Sequence, residues 1–339
     1  EAIKGFGKGD VTDERTNQDL NIKVILIGVA VLTLAIWIIP VIPINLFGAF
    51  MIVVFGFFFA TVSSRMVGLV GSSNNPVSGM TIATLLVATI ALKATGMTGQ
   101  PGMIAAIAIG GVICIVAAIA GDTSQDLKTG YILGATPKKQ QIGELIGVLA
   151  SSLAIGGVLY LLHLAWGYGT PNLPAPQATL MKMIVEGVMD GNLPWTLIFI
   201  GAFIAIVVEF LGIPVLPFAI GLYLPIHLST PMMVGGLVKL AVEKKKNASE
   251  KEKKDADANG ILFSSGLIAG EGLVGILLAF LTVIPLNGSN IGDMIGSFLP
   301  GAIPILTNAS FGNVIGLIAF ALLTLSLWSF CYRKSKKAK

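Results

Sequence analysis

Long apolar runs alternate with short polar breaks along the chain. Eight of the runs (residues 22–43, 44–62, 77–93, 101–120, 142–164, 193–211, 261–284 and 311–332) approach the length of a membrane span. A hydrocarbon core of about 30 Å takes about 20 apolar helical residues. The runs lack the strict alternation of half-buried strands. The pattern predicts an all-α polytopic membrane protein with about eight transmembrane helices and one or two re-entrant or broken-helix segments.

Two apolar regions are interrupted. Residues 212–242 carry Pro214, Pro217, Pro225 and Pro231 together with Gly221, Gly235 and Gly236. Proline removes a helical hydrogen bond and clashes with the preceding turn, so two short or kinked helices that enter and return are expected. Residues 289–307, with Pro300 and Pro304, form a second re-entrant piece or an outer loop.

Residues 63–81, SSRMVGLVGSSNNPVSGMT, organise the rest. A polar stretch between two spans lies at the membrane surface or within the membrane. Non-helical backbone survives inside a membrane only where it is buried in protein or lines a wet cavity. Transporters use such breaks to present backbone groups and amide side chains to a substrate. Arg65, Ser72, Ser73, Asn74 and Asn75 are accordingly expected to bind substrate, with Pro214, Pro217 and Tyr223 shaping a facing hairpin. Helix capping around the break is the plainer role for Asn74 and Asn75.

Composition agrees with the pattern. The 339 residues are 54% hydrophobic and 12% charged, against about 25% charged in a soluble domain. Let the first residues be cytoplasmic, the spans alternate, and the 212–242 region return to its side of entry. Then 20 of the 22 Lys and Arg residues face the cytoplasm, leaving only Lys93 and Lys182 outside. That asymmetry is the positive-inside signature and puts both termini in the cytoplasm. The predicted organisation is a cytoplasmic segment 1–21, a transmembrane domain 22–332 and a basic tail 333–339. A cytoplasmic charged loop, 243–259, interrupts the transmembrane domain. That loop is a solvated linker or a contact for lipid headgroups. Residues 164–192 form a long outer loop, a lid or a plain connector. The opening segment has no secretory signal, and its first residue is Glu1, so a longer parent protein is expected.

Ionisable groups inside apolar spans are functional candidates by default. Glu271, in GLIAGEGLVG, is the clearest. Its flanking glycines would let a neighbouring backbone or ligand approach, and a carboxylate there suits a coupling proton. Glu209, at the end of its span, is a second proton-coupling candidate. Each carboxylate also has a plainer role, Glu271 in a helix contact and Glu209 snorkelling to water. Asp122, Gln125, Asp126, Lys128 and Tyr131 cluster in residues 121–139 as gating or structural groups. Asp122 and Asp126 share a face if that stretch is helical; a cytoplasmic turn with self-paired charges is the alternative. Cys114 and Cys331 are expected to be inert thiols, and His163 and His227 structural.

HExxH, Walker, GxSxG and Cys/His-cluster patterns are absent from the sequence, so neither an enzyme nor a metal or cofactor site is expected. Transport would draw on an ion gradient. The expected partners are the lipid bilayer, a small substrate and protons, with no nucleic acid. A passive channel or structural membrane subunit is the competing class.

Four blocks carry a resemblance: SSRMVGLVGSSNNPVSGMTIATLL, GDTSQDLKTGYILGATPKKQQIGELIG, PVLPFAIGLYLPIHLSTPMMVGG and GILFSSGLIAGEGLVGI. In this order they resemble the oligopeptide transporter family, closest to its bacterial members and the related yellow stripe-like branch. The resemblance implies a proton-coupled secondary importer of small peptides or metal–chelate complexes in a bacterial cytoplasmic membrane. It also implies a C-terminal half whose partner is the N-terminal half of the same transporter. The plant branch tends to have Asp where Glu271 stands.

Overall fold

The computed structural model describes residues 14–70, 75–245, 249–286, 289–291 and 309–332. The first helices are α1 (Ile22–Ile38), α2 (Leu46–Val70), α3 (Val77–Ala94), α4 (Gly99–Leu133) and α5 (Pro137–Ala165). They are followed by α6 (Pro176–Asp190), α7 (Trp195–Phe210), α8 (Val215–Tyr223), α9 (Ile226–Glu243), α10 (Glu250–Val283) and α11 (Ala309–Cys331). A minimal antiparallel ribbon pairs β1 (Pro285–Leu286) with β2 (Ser289–Asn290), Leu286 opposite Ser289.

The protein is an all-α polytopic membrane protein. Among the described residues, seven helices are long and apolar enough to cross a membrane: α1 to α5, α10 and α11. The expected span at 193–211 holds only the 16-residue α7, about 24 Å long at 1.5 Å per residue. The proline-punctuated region does resolve into two helices. α8 has 9 residues, α9 has 18 with Pro231 inside it, and Leu224 and Pro225 form the joint.

Three boundaries differ from the sequence pattern. α2 runs through Val70 instead of ending near residue 62. α4 continues to Leu133, making 35 residues, or about 52 Å. The supposed turn at its end is therefore helix, stopped by Gly134 in the left-handed region (φ 72°). Within the expected loop 164–192 lies the amphipathic α6, whose Val185, Val188 and Met189 are buried. Most of the 289–307 region, the tail 333–339 and residues 1–13 lie outside the described residues.

The chain divides into two compact units, Glu1–Ala154 with Pro176–Phe203, and Ile155–Ala175 with Ile204–Lys339. In the first, α4 packs against α2, α3 and α6. Its contact face mixes small residues, Ala105, Ala106 and Ala117, with Ile109 and Ile113, all fully buried. Small residues let helix backbones approach where lipid offers no hydrophobic drive for association. Gly110 shows how close the approach is: a Cβ there would lie 2.6 Å from Leu85 Cδ2.

The opening segment is strapped to the α4–α5 turn. Lys138 N donates to Gln18 O at 2.8 Å, and Leu20 N donates to Gln141 Oε1 at 2.8 Å. In the second unit, α9, α10 and α11 pack together around Val242, Ala256 and Cys331. Asn259 Nδ2 donates to Cys331 O at 3.4 Å, and Lys239 pairs with Asp257 at 3.6 Å. α10 opens with a capping box between Ser249 and Glu252, so much of the charged run 243–259 is helical.

Candidate functional site

The break between α2 and α3 is tied to the middle of α4 by a small polar cluster. Ser63, on α2, is fully buried, and its Oγ donates to Ala117 O at 2.5 Å. Asn75, just before α3, donates its side-chain amide to Ser63 Oγ and also to Ala117 O at 3.3 Å. Ser63, two turns before the last residue of α2, and Asn75, two residues before α3, therefore converge on one helical carbonyl. Gly121, one turn further along α4, leaves the space this needs. A Cβ there would sit 3.1 Å from both Asn75 Nδ2 and Val67 Cγ2.

The same seam continues along α4. Ser124 Oγ donates to Ala120 O at 2.7 Å, so Ser64 is the donor in its 2.5 Å bond with Ser124. Next to them Thr123 Oγ1 donates to Glu144 Oε2 at 2.8 Å. The other carboxylate oxygen of Glu144 is buried and has no hydrogen-bond partner among the described residues. In an apolar surrounding, each unpaired polar group costs heavily. The cluster thus packs the polar side chains of α2 and Asn75 against α4 with most of them paired.

The expected substrate residues separate on the structure. Asn75 is in the cluster, with its side-chain amide engaged internally on Ser63 and Ala117 and not as a helix cap, the N-cap of α3 being Pro76. Ser72, Ser73 and Asn74 lie outside the described residues. Arg65 stands on continuous helix, exposed, two residues beyond Ser63 and hence on a different face. Asp122 and Asp126 occupy successive turns of α4 and are exposed, while Gln125 between them is half-buried. Lys128 lies 5.2 Å from the ring centre of the exposed Tyr131. Gln140 Nε2 donates to Asp126 O at 2.9 Å, tying the end of α4 to α5.

The remaining candidates belong to the second unit. Pro214 caps α8 and Pro217 sits in its first turn. Tyr223 closes that helix, half-buried. Glu209 on α7 and Glu271 on α10 are both exposed. The glycines beside Glu271 do not mark a close approach among the described residues, since a Cβ at Gly270 or Gly272 would meet nothing within 4 Å.

Sequence reasoning singled out Asn75 but missed Ser63, Gly121, Ser124 and Glu144. Ser63 and Gly121 stood at the edges of the two unusual stretches. Nothing in spacing alone signalled that they would face each other.

These observations define a polytopic helical membrane protein in which a polar cluster joins α2, α4 and the approach to α3. Residues 8–282 match the model of the OPT oligopeptide transporter protein family, and the chain belongs to that family. It is 33% identical over 304 residues to a Haemophilus influenzae protein described as "Putative oligopeptide transporter". That match covers 80% of this chain and 47% of the relative. It is also 29% identical over 235 residues to the Arabidopsis thaliana "Probable metal-nicotianamine transporter YSL5", covering 60% of this chain and 31% of the relative. A rice relative, "Probable metal-nicotianamine transporter YSL14", is 31% identical over 195 residues, covering 51% and 25%. The chain thus spans about half the length of the bacterial relative and less of the plant ones. No solved structure matches the chain.

Proposed function

We propose that this chain is part of a proton-coupled secondary transporter that imports small peptides or metal–chelate complexes across a bacterial cytoplasmic membrane. One observation carries the reading. The polar interruption between two apolar spans is flanked by Ser63 and Asn75, both hydrogen-bonded to Ala117 O, and transporters use such interruptions to expose backbone to a substrate. Family membership supports transport, and the relatives' descriptions as oligopeptide and metal-nicotianamine transporters supply the two substrate classes.

In this reading residues 72–75 and Arg65 line the substrate path, with Pro214, Pro217 and Tyr223 contributing from the hairpin. Glu271 carries the coupling proton and Glu209 is its reserve. Asp122, Gln125, Asp126, Lys128 and Tyr131 gate or brace the cytoplasmic end. Both termini are cytoplasmic, and the remaining part of the full-length protein completes the path. The protein moves its substrate without chemical conversion.

The test is uptake by the full-length protein in liposomes. A labelled tripeptide and an iron–nicotianamine complex are offered separately, with and without an inward proton gradient. Uptake of one of them driven by the gradient supports the reading and selects the substrate class. Equal, gradient-independent flux of both supports a passive channel instead.

A further inference from the structure

A groove of about 520 Å³ runs between α3, α6 and the start of α7, all within the first compact unit. On α3 its wall is Ile82, Leu86 and Ile90, and the stripe ends at Lys93. These positions are spaced three or four residues apart, so they form one face of the helix. Ile184 and Val188 of α6 form the opposite wall, and Trp195 stands at the α7 end. Among the residues lining the groove, Lys93 is the one ionisable group.

Three features point to the same occupant. From Ile82 to Lys93 is about 16 Å along the helix, close to half of a hydrocarbon core of about 30 Å. The apolar stripe therefore has the depth of one leaflet, with the cation at its rim. α6 is amphipathic: it buries Val185, Val188 and Met189 and turns the Lys182–Glu186 pair outward, as a helix lying in the interface does. Trp195, 58% exposed, is the residue type that gathers at the headgroup level.

Lys93 already donates to Val188 O at 2.8 Å, near the C-terminal end of α6. That bond uses one of three ammonium hydrogens and holds the charge at the mouth of the groove. Asp190 is exposed, outside the lining, and Glu186 is paired with Lys182. We propose that this groove binds an anionic phospholipid, one acyl chain along Ile82, Leu86 and Ile90 and the phosphate on Lys93. The inference depends on membrane insertion and not on what the protein transports.

The test is native mass spectrometry of the delipidated full-length protein, titrated with dioleoyl phosphatidylglycerol and, separately, dioleoyl phosphatidylcholine. The wild type should retain phosphatidylglycerol about fivefold more tightly, the scale of one cation's attraction to an anionic headgroup. Lys93→Gln keeps a donor for Val188 O but removes the charge, and should erase the preference while leaving phosphatidylcholine binding unchanged. Ile90→Trp keeps the charge, fills the groove and should weaken both lipids. Equal retention of the two lipids by the wild type overturns the proposal, as does a preference that survives in Lys93→Gln. Failure to bind either lipid, the result if another part of the full-length protein occupies the groove, also overturns it.

Discussion

Asn75 and Ala117 stand 42 positions apart in the chain, and the amide of one donates to the carbonyl of the other at 3.3 Å, with Ser63 Oγ bonded to both. This three-way contact fastens α2 and the approach to α3 onto the middle of α4. Ser63→Ala removes the donor to Ala117 O and the acceptor for Asn75 together. It should destabilise the protein by about 1–3 kcal/mol, the cost of stranding a buried polar group. Asn75→Leu should cost a similar amount and also weaken substrate binding. Because the two residues share one cluster, the double variant should lose less than the sum. Unfolding in detergent, followed by circular dichroism for both singles and the double, checks this; full additivity would mean the contact is not a unit.

Gly121 and Gly110 test the packing that lets the contact form. Gly110→Ala puts a methyl 2.6 Å from Leu85 Cδ2, whereas Gly121→Ala meets Asn75 Nδ2 and Val67 Cγ2 at 3.1 Å. Both should destabilise by about 1–3 kcal/mol through overpacking. Gly121→Ala should in addition lower uptake per folded molecule, because its new methyl presses on the break itself. Melting temperature and uptake, measured on the same preparations, separate the two effects. Uptake that falls only in proportion to folded protein for both variants would remove the special role of Gly121.

Thr123 and Glu144 form the neighbouring contact, at 2.8 Å. Thr123→Val strips the carboxylate of the hydrogen bond it has, next to an oxygen already without a partner. The expected loss is about 1–3 kcal/mol. Glu144→Gln preserves an acceptor for Thr123 and should be close to neutral. The ordering of the two midpoints in chemical unfolding decides the matter, and a larger loss for Glu144→Gln would contradict it.

Much of this architecture is legible in the chain, and the reasons for the failures are physical. Spans α1, α3 and α11 follow from apolar run length, and the α8–α9 joint follows from Pro225. The last turns of α4 were hidden because Asp122, Thr123, Ser124 and Asp126 are weak helix formers; the helix persists there through packing on α2 and the Gly134 stop. α6 was hidden in a Pro- and Gly-rich context, where its apolar positions are too few to stand out by run length. Of the site, the break itself was visible as a polar interruption between two spans. The partner of Asn75 was not, because Ser63 and Ala117 are unremarkable residues until the fold brings them together.

Glu271→Gln tests the proposed proton-coupling role of that carboxylate. Uptake should lose its dependence on external pH while expression and melting temperature stay at wild-type levels. The comparison uses initial rates across a pH series in proteoliposomes. A pH dependence identical to wild type would transfer the proton to another group, Glu209 first.

Whether the full-length protein concentrates its substrate is the most direct question. Proteoliposomes with an inward proton gradient should accumulate the tripeptide or the iron–nicotianamine complex above the external concentration, and a protonophore should collapse that accumulation. Asn75→Leu should reduce it at equal protein content. Internal substrate that merely rises to the external concentration, unchanged by protonophore and by Asn75→Leu, would contradict a coupled transporter built around this break.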